Sequence, residues 1–161
     1  GPSGSGKTTI AKQLFADAPD KTAIIHQDYY RFIFKPAGGG SKTNSAVIHD
    51  MIEHNCCSAL EAGYHVILEG ILSVSSYAAL LDRVIAKHNG PSYMFYFDIS
   101  FEETACRHQS RLATSDFTTD DMKKWYASSH RSQHALEQLI PEHFSEADTL
   151  NYIRSSAVFT C

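Results

Sequence analysis

The chain opens on Gly1-Pro2-Ser3-Gly4-Ser5-Gly6-Lys7-Thr8-Thr9, and no other stretch limits its possible folds so strongly. The spacing is G-x-x-x-x-G-K-S/T, the P-loop pattern, and each residue type answers a physical need. Glycines let the backbone curl until successive N–H groups point inward at phosphate oxygens, and a following helix adds the positive end of its dipole. Lysine supplies a mobile point charge for the β- and γ-phosphates, and the hydroxyl after it is placed to ligate magnesium. The residues that follow, IAKQLFADA, read as an amphipathic helix, which is the context the loop requires. We therefore expect a nucleotide site with Gly1, Ser3, Gly4, Ser5 and Gly6 as the cradle. Lys7 would bind the phosphates and assist transfer, Thr8 would hold the metal, and Thr9 would lie near the α-phosphate. ATP with Mg²⁺ is the expected pair. GTP is less favoured, because the guanine-reading N-K-x-D segment of switch GTPases is absent from the sequence.

A chain of 161 residues fits one domain of roughly 100–200 residues, so a single P-loop domain is expected over 1–161. The formal charge of −4 argues against a partner as anionic as nucleic acid, whose recognition surfaces are basic. No apolar run approaches the roughly 18 residues of a membrane span, and no membrane partner is expected. Four cysteines, two of them adjacent and none in a C-x-x-C pair, suggest neither a disulfide framework nor a zinc site. A cytoplasmic location with reduced thiols is the corresponding expectation. His49 and His54, like His130 and His134, lack a convincing third ligand and read as structural.

Short apolar runs alternate with helical patterns, the signature of βαβ units. Strands are expected at Thr22–His26, Tyr64–Leu68, Tyr93–Phe97 and Glu137–Ile140. Helices are expected at Thr8–Ala16, Ser45–Ala62, Ser76–His88, Phe101–Leu112, Thr119–Ala127 and Glu146–Ile153. Ser100 with Glu103, and Ser145 with Asp148, have capping-box spacing. The fold class is α/β: a doubly wound, parallel, five-stranded sheet with helices on both faces. A P-loop needs a strand feeding it, and Ala157-Val158-Phe159-Thr160-Cys161 is a short apolar, β-branched run. This tail, 157–161, is expected to supply the central strand before the loop, by circular permutation or because N-terminal residues are written last; an extra edge strand or a disordered tail is the alternative.

Carboxylates at strand ends carry the next expectations, since open α/β sheets bind ligands outside the carboxyl ends of their strands. TAIIH runs into Gln27-Asp28, and Asp28 could accept the proton of an attacking hydroxyl, hold a magnesium-bound water, or cap a helix. Glu69 closes the following strand and suits magnesium through water, or a substrate hydroxyl. Asp98, just before the Ser100 cap, reads as structural. Arg107 and Arg111 share a helix face at i, i+4 and could supply positive charge over the transferred group. The alternative is a solvated face paired with Glu102 or Glu103. Lys123 and Lys124 read as an exposed face. The aromatic run Tyr29-Tyr30, Phe32 and Phe34 reads as core, with a wall of an acceptor pocket as the second possibility.

With GPSGSGKTT, HQD, VILEG and YFDISFEETACRHQSR in place, the chain resembles the small P-loop kinases that include zeta toxins, chloramphenicol phosphotransferase and the polynucleotide 5′-kinase domain. The resemblance implies a five-stranded core with the P-loop strand in the middle. It also implies Asp28 as the base near the acceptor hydroxyl, Arg111 as the lid arginine on the phosphates, and Arg107 nearer the base or β-phosphate. HQDYY is similar to a uridine kinase segment as well. The expected activity is ATP- and magnesium-dependent transfer of the γ-phosphate to a small-molecule hydroxyl. Polynucleotide or nucleoside kinases, and a nucleotide-binding switch without transfer, are the alternatives.

Overall fold

The computed structural model describes residues 1–34, 45–110, 118–126, 131 and 134–157. The P-loop leads directly into α1 (Lys7–Ala16), followed by β1 (Thr22–His26), α2 (Gln27–Phe32), α3 (Ser45–Glu61), β2 (His65–Glu69) and α4 (Val74–Lys87). The second half comprises β3 (Met94–Asp98), α5 (Phe101–Ser110), α6 (Thr119–Trp125), β4 (Glu137–Pro141) and α7 (Glu146–Ser156). β1 has the expected bounds, and the other strands and helices lie within a few residues of theirs. The unforeseen element is α2, a six-residue helix too short and too polar to show a helical period.

β1 pairs with β2, and β3 with β4, both in parallel. The α/β character and the parallel pairing stand as expected, but the single five-stranded sheet is corrected. Among the described residues there are four strands in two two-stranded sheets. β2 and β3 do not pair, so nothing described closes the sheet across that interval. Residues 158–161, most of the tail expected to fill it, lie outside the described residues. Ala157 itself is the extended C-cap of α7.

Two apolar clusters cover the strands. Ile10 and Leu14 of α1 join Phe97, Ile99, Ile140, Leu150 and Ile153, with Ile67 of β2 packed against them. Ile25, Ile52, Cys56, Tyr77 and Leu80 form the other, with Val66 and Leu68 against it. β2 thus sends alternate side chains into different cores, as a strand covered on both faces must. α1 also packs on β1 and β2, so the helix behind the P-loop touches both sheets. Among the described residues no helix is long and apolar enough to cross a membrane.

Burial pushes the Cys56 thiol up to about 12, with the adjacent Cys57 adding to the rise, whereas Cys106 is exposed. The thiolate is the nucleophile, so iodoacetamide at about pH 8 should label Cys106 and spare Cys56 until denaturant is added. Equal native rates at the two thiols, read by peptide mass mapping, would contradict this packing.

Candidate active site

The loop's conformation follows from its glycines. Gly4 and Gly6 adopt positive φ of 79° and 94°, a region open to glycine and strained for other residues. Gly6 is the N-cap of α1, which leaves the helix's first N–H groups facing the loop. A side-chain carbon on Gly4 would lie 3.1 Å from Met122 Cε and 3.2 Å from the Thr104 carbonyl, so α5 and α6 brace the loop from behind. Ser5, almost wholly buried, donates its hydroxyl to the Pro2 carbonyl at 2.9 Å. Lys7 Nζ reaches back to the same carbonyl at 2.6 Å and to Ser5 Oγ at 3.3 Å. Its ammonium therefore spans the loop it was expected to close.

Strand register assembles the opposite wall. The last pair in the β1–β2 ladder is His26 with Glu69, and side chains directly opposite in such a ladder project from the same face. His26 Nδ1 lies 2.6 Å from Glu69 Oε1, and Thr8 Oγ1 donates to the two Glu69 oxygens at 3.2 and 3.3 Å. The expected metal-side pair, Thr8 and Glu69, is thus brought together across 61 residues of sequence. Neighbouring hydroxyl and carboxylate oxygens are hard donors, and magnesium bound by a few protein oxygens with water and phosphate is the ion such a set fits. His26 was missed from sequence. Its only signal was that it ends the strand before Asp28, and its contact with Glu69 needs the register to be seen.

Asp28 is not a helix cap. His26 occupies that position, and Asp28 sits in the first turn of α2, where a negative charge suits the helix dipole. Arg31 lies 3.4 Å from it, both side chains being about half exposed at 53% and 54%, so the pair is weak and the carboxylate stays accessible. Tyr29 and Phe32 on the same helix are exposed, not core as expected, while Tyr30 is buried. Its hydroxyl accepts from Asn55 at 2.7 Å.

Arg107 is brought to the loop. It donates to the Ser5 carbonyl at 3.3 Å and the Glu142 carbonyl at 3.4 Å, and its Nε meets Glu103 at 2.7 Å. Both the expected contact with Glu103 and proximity to the phosphate loop therefore hold for one side chain. Arg111 lies outside the described residues. The Ser145–Asp148 capping box forms in full, but Ser100 forms only half of one. Its hydroxyl accepts from the Glu103 N–H at 3.2 Å, while its own N–H donates to Glu142 Oε2 at 2.7 Å. A carboxylate from beyond β4 has taken the place of Glu103, which faces Arg107 instead. Asp98 ends β3 in solvent.

Beside the loop lies a cleft of about 310 Å³ lined by Ser5, Gly6, Thr9, Arg107, Pro141 and Phe144, among others. Gly70, directly after Glu69, has φ of 154°, and a side-chain carbon there would lie 2.5 Å from Gln27 Cβ. Gly70→Ala is expected to cost about 1–3 kcal/mol through overpacking, read as a lower urea midpoint. An unchanged midpoint would mean that the two strand ends are not so tightly packed.

A comparison with curated proteins gave no match. A family model described as AAA domain matches residues 1–133, which spans the P-loop, β1 to β3 and the helices bearing Asp28 and Arg107. With the loop, the parallel strands and the Thr8–Glu69 contact established, the chain belongs to this AAA domain family, a P-loop NTPase-like family of nucleotide-binding proteins that includes kinases.

Proposed function

We propose that the protein is a magnesium-dependent kinase that moves the γ-phosphoryl group of ATP onto a hydroxyl of a small molecule. The observation that carries this is the contact of Thr8 with Glu69 at the end of β2, with Asp28 two residues past Glu69's partner His26. A metal-side carboxylate and an acceptor-side carboxylate then stand at neighbouring strand ends, where sheets of this class bind ligands. A module that only bound or slowly hydrolysed nucleotide would need the first and not the second.

In this reading Gly1 and the amides of Ser3, Gly4, Ser5 and Gly6 form the cradle that, with the Lys7 ammonium, holds the phosphates, and Thr9 lies beside the α-phosphate. Thr8 would hold magnesium directly and Glu69 would hold it through water, and the ion would neutralise charge on the phosphates. Asp28 accepts the proton of the acceptor hydroxyl as its oxygen bonds to phosphorus and the bond to ADP breaks. Arg107, already at the loop, serves the β-phosphate or base, and the adjoining cleft takes the nucleoside. The role of Arg111 as a lid arginine rests on the resemblance to small P-loop kinases. The net charge of −4 favours a small acceptor over a polynucleotide.

The test uses γ-labelled ATP, Mg²⁺ and a panel of sugars, nucleosides, aminoglycosides, other hydroxyl antibiotics and a 5′-hydroxyl oligonucleotide. Label on a small hydroxyl compound supports the proposal. Label on the oligonucleotide alone favours the polynucleotide kinase, and release of phosphate with no labelled acceptor favours the hydrolytic switch.

A further inference from the structure

Gln27, between half-buried His26 and exposed Asp28, is itself buried. It is 4% exposed and donates Nε2 to Tyr77 Oη at 3.0 Å, while its Oε1 is buried without a hydrogen-bond partner. Tyr77 belongs to α4, in the second apolar cluster. The His49 ring lies against it, with centroids 4.3 Å apart. Gly70, next to Glu69, leaves just enough room for Gln27. The amide thus sits where the segment after β1 meets the segment after β2, and ties them together.

A buried acceptor without a partner is a standing cost, and an apolar side chain of similar volume would remove it. Stability alone gives no reason for an amide here. Resting on the kinase function proposed above, we propose that Gln27 and Tyr77 form a strut that positions Asp28 relative to Glu69, so that the acceptor hydroxyl and the metal-bound phosphate meet in register. Gln27 is in this sense a positioning residue. It touches neither substrate, and it acts through the two carboxylates it spaces. Misplacement of reacting groups by about 1 Å can cost on the order of a hundredfold in rate.

The experiment compares Gln27→Met, Tyr77→Phe and the double variant with wild type, reading Tm, KM for ATP and kcat. Gln27→Met keeps the volume and removes the orphaned Oε1, but leaves the buried Tyr77 hydroxyl without its donor. The two effects offset, so we expect a Tm close to that of wild type, KM within about twofold, and kcat lower by about tenfold or more. Tyr77→Phe, which leaves the whole amide unpaired, should lower both Tm and kcat. The double variant should regain Tm while kcat stays low. Unchanged kcat in Gln27→Met overturns the strut, and so does a kcat that recovers together with Tm in the double variant. If Gln27→Met does not fold, Tyr77→Phe decides: a lower kcat with KM for ATP unchanged supports the strut, and an unchanged kcat overturns it. Should wild type hydrolyse ATP but phosphorylate no hydroxyl, the kinase function fails separately. The strut, which spaces Asp28 from Glu69 for an acceptor hydroxyl, then falls with it, whereas transfer by wild type with unchanged kcat in Gln27→Met overturns the strut alone.

Discussion

Lys7→Ala is expected to cut phosphoryl transfer by about a hundredfold to a thousandfold, the usual loss when a charge-stabilising donor is removed. In the structure the ammonium meets the Pro2 carbonyl and the Ser5 hydroxyl at 2.6 and 3.3 Å. Its bonds to a polyphosphate would be stronger than these, because hydrogen bonds between charged groups are roughly twice as strong as neutral ones. The loss should therefore appear in nucleotide affinity as well as in kcat. Folding should change by only about 1 kcal/mol, the worth of the hydrogen bonds removed. Lys7→Arg, which keeps the charge but replaces a compact ammonium with a planar fork, should recover little. Calorimetric titration of ATP with Mg²⁺ and a coupled assay for ADP release measure the two effects. Intact turnover in Lys7→Ala would remove the loop from the chemistry.

Asp28→Asn should lower transfer by about 10²–10⁴-fold, the range general base catalysis contributes, and should leave ATP binding as it was. The two variants thus separate cleanly, since one loses affinity and rate and the other loses rate alone. Asparagine has the same shape, and the side chain it replaces is 54% exposed with one weak ion pair. Stability should accordingly shift by no more than about 0.5 kcal/mol. The assay is transfer of labelled phosphate to the acceptor that the panel identifies. Wild-type transfer by Asp28→Asn would mean that the proton leaves by another route.

How much of this was legible in the sequence depended on the range of the interaction. The P-loop was readable because its function needs particular residue types at fixed local spacing. β1 to β4 were readable because strands buried on both faces leave nearly continuous apolar runs. α2 was not, because six residues carry no period. The pairing of His26 with Glu69, 43 residues apart, and the takeover of the Ser100 N–H by Glu142, 42 residues apart, depend on strand register. Local sequence does not encode that. Thr8 and Glu69 were each expected at the metal, but from separate lines of reasoning, and only the fold brings them within 3.2 Å. The five-stranded sheet was inferred from the needs of a P-loop fold and not from any fifth apolar run between the described strands.

The ladder of β1 and β2 has one further consequence, for where this protein can change length. Side chains alternate faces along a strand, so a single inserted or deleted residue in Thr22–His26 or His65–Glu69 would turn His26 and Glu69 to opposite faces. The carboxylate would then lose both of its described partners. Extra residues between α2 and α3 would leave that register alone, and lengthening a connection costs only about 0.6 kcal/mol per doubling. Grafting, tagging or natural drift in chain length should therefore be borne by the crossover and rejected by the ten strand residues that hold the two side chains in phase.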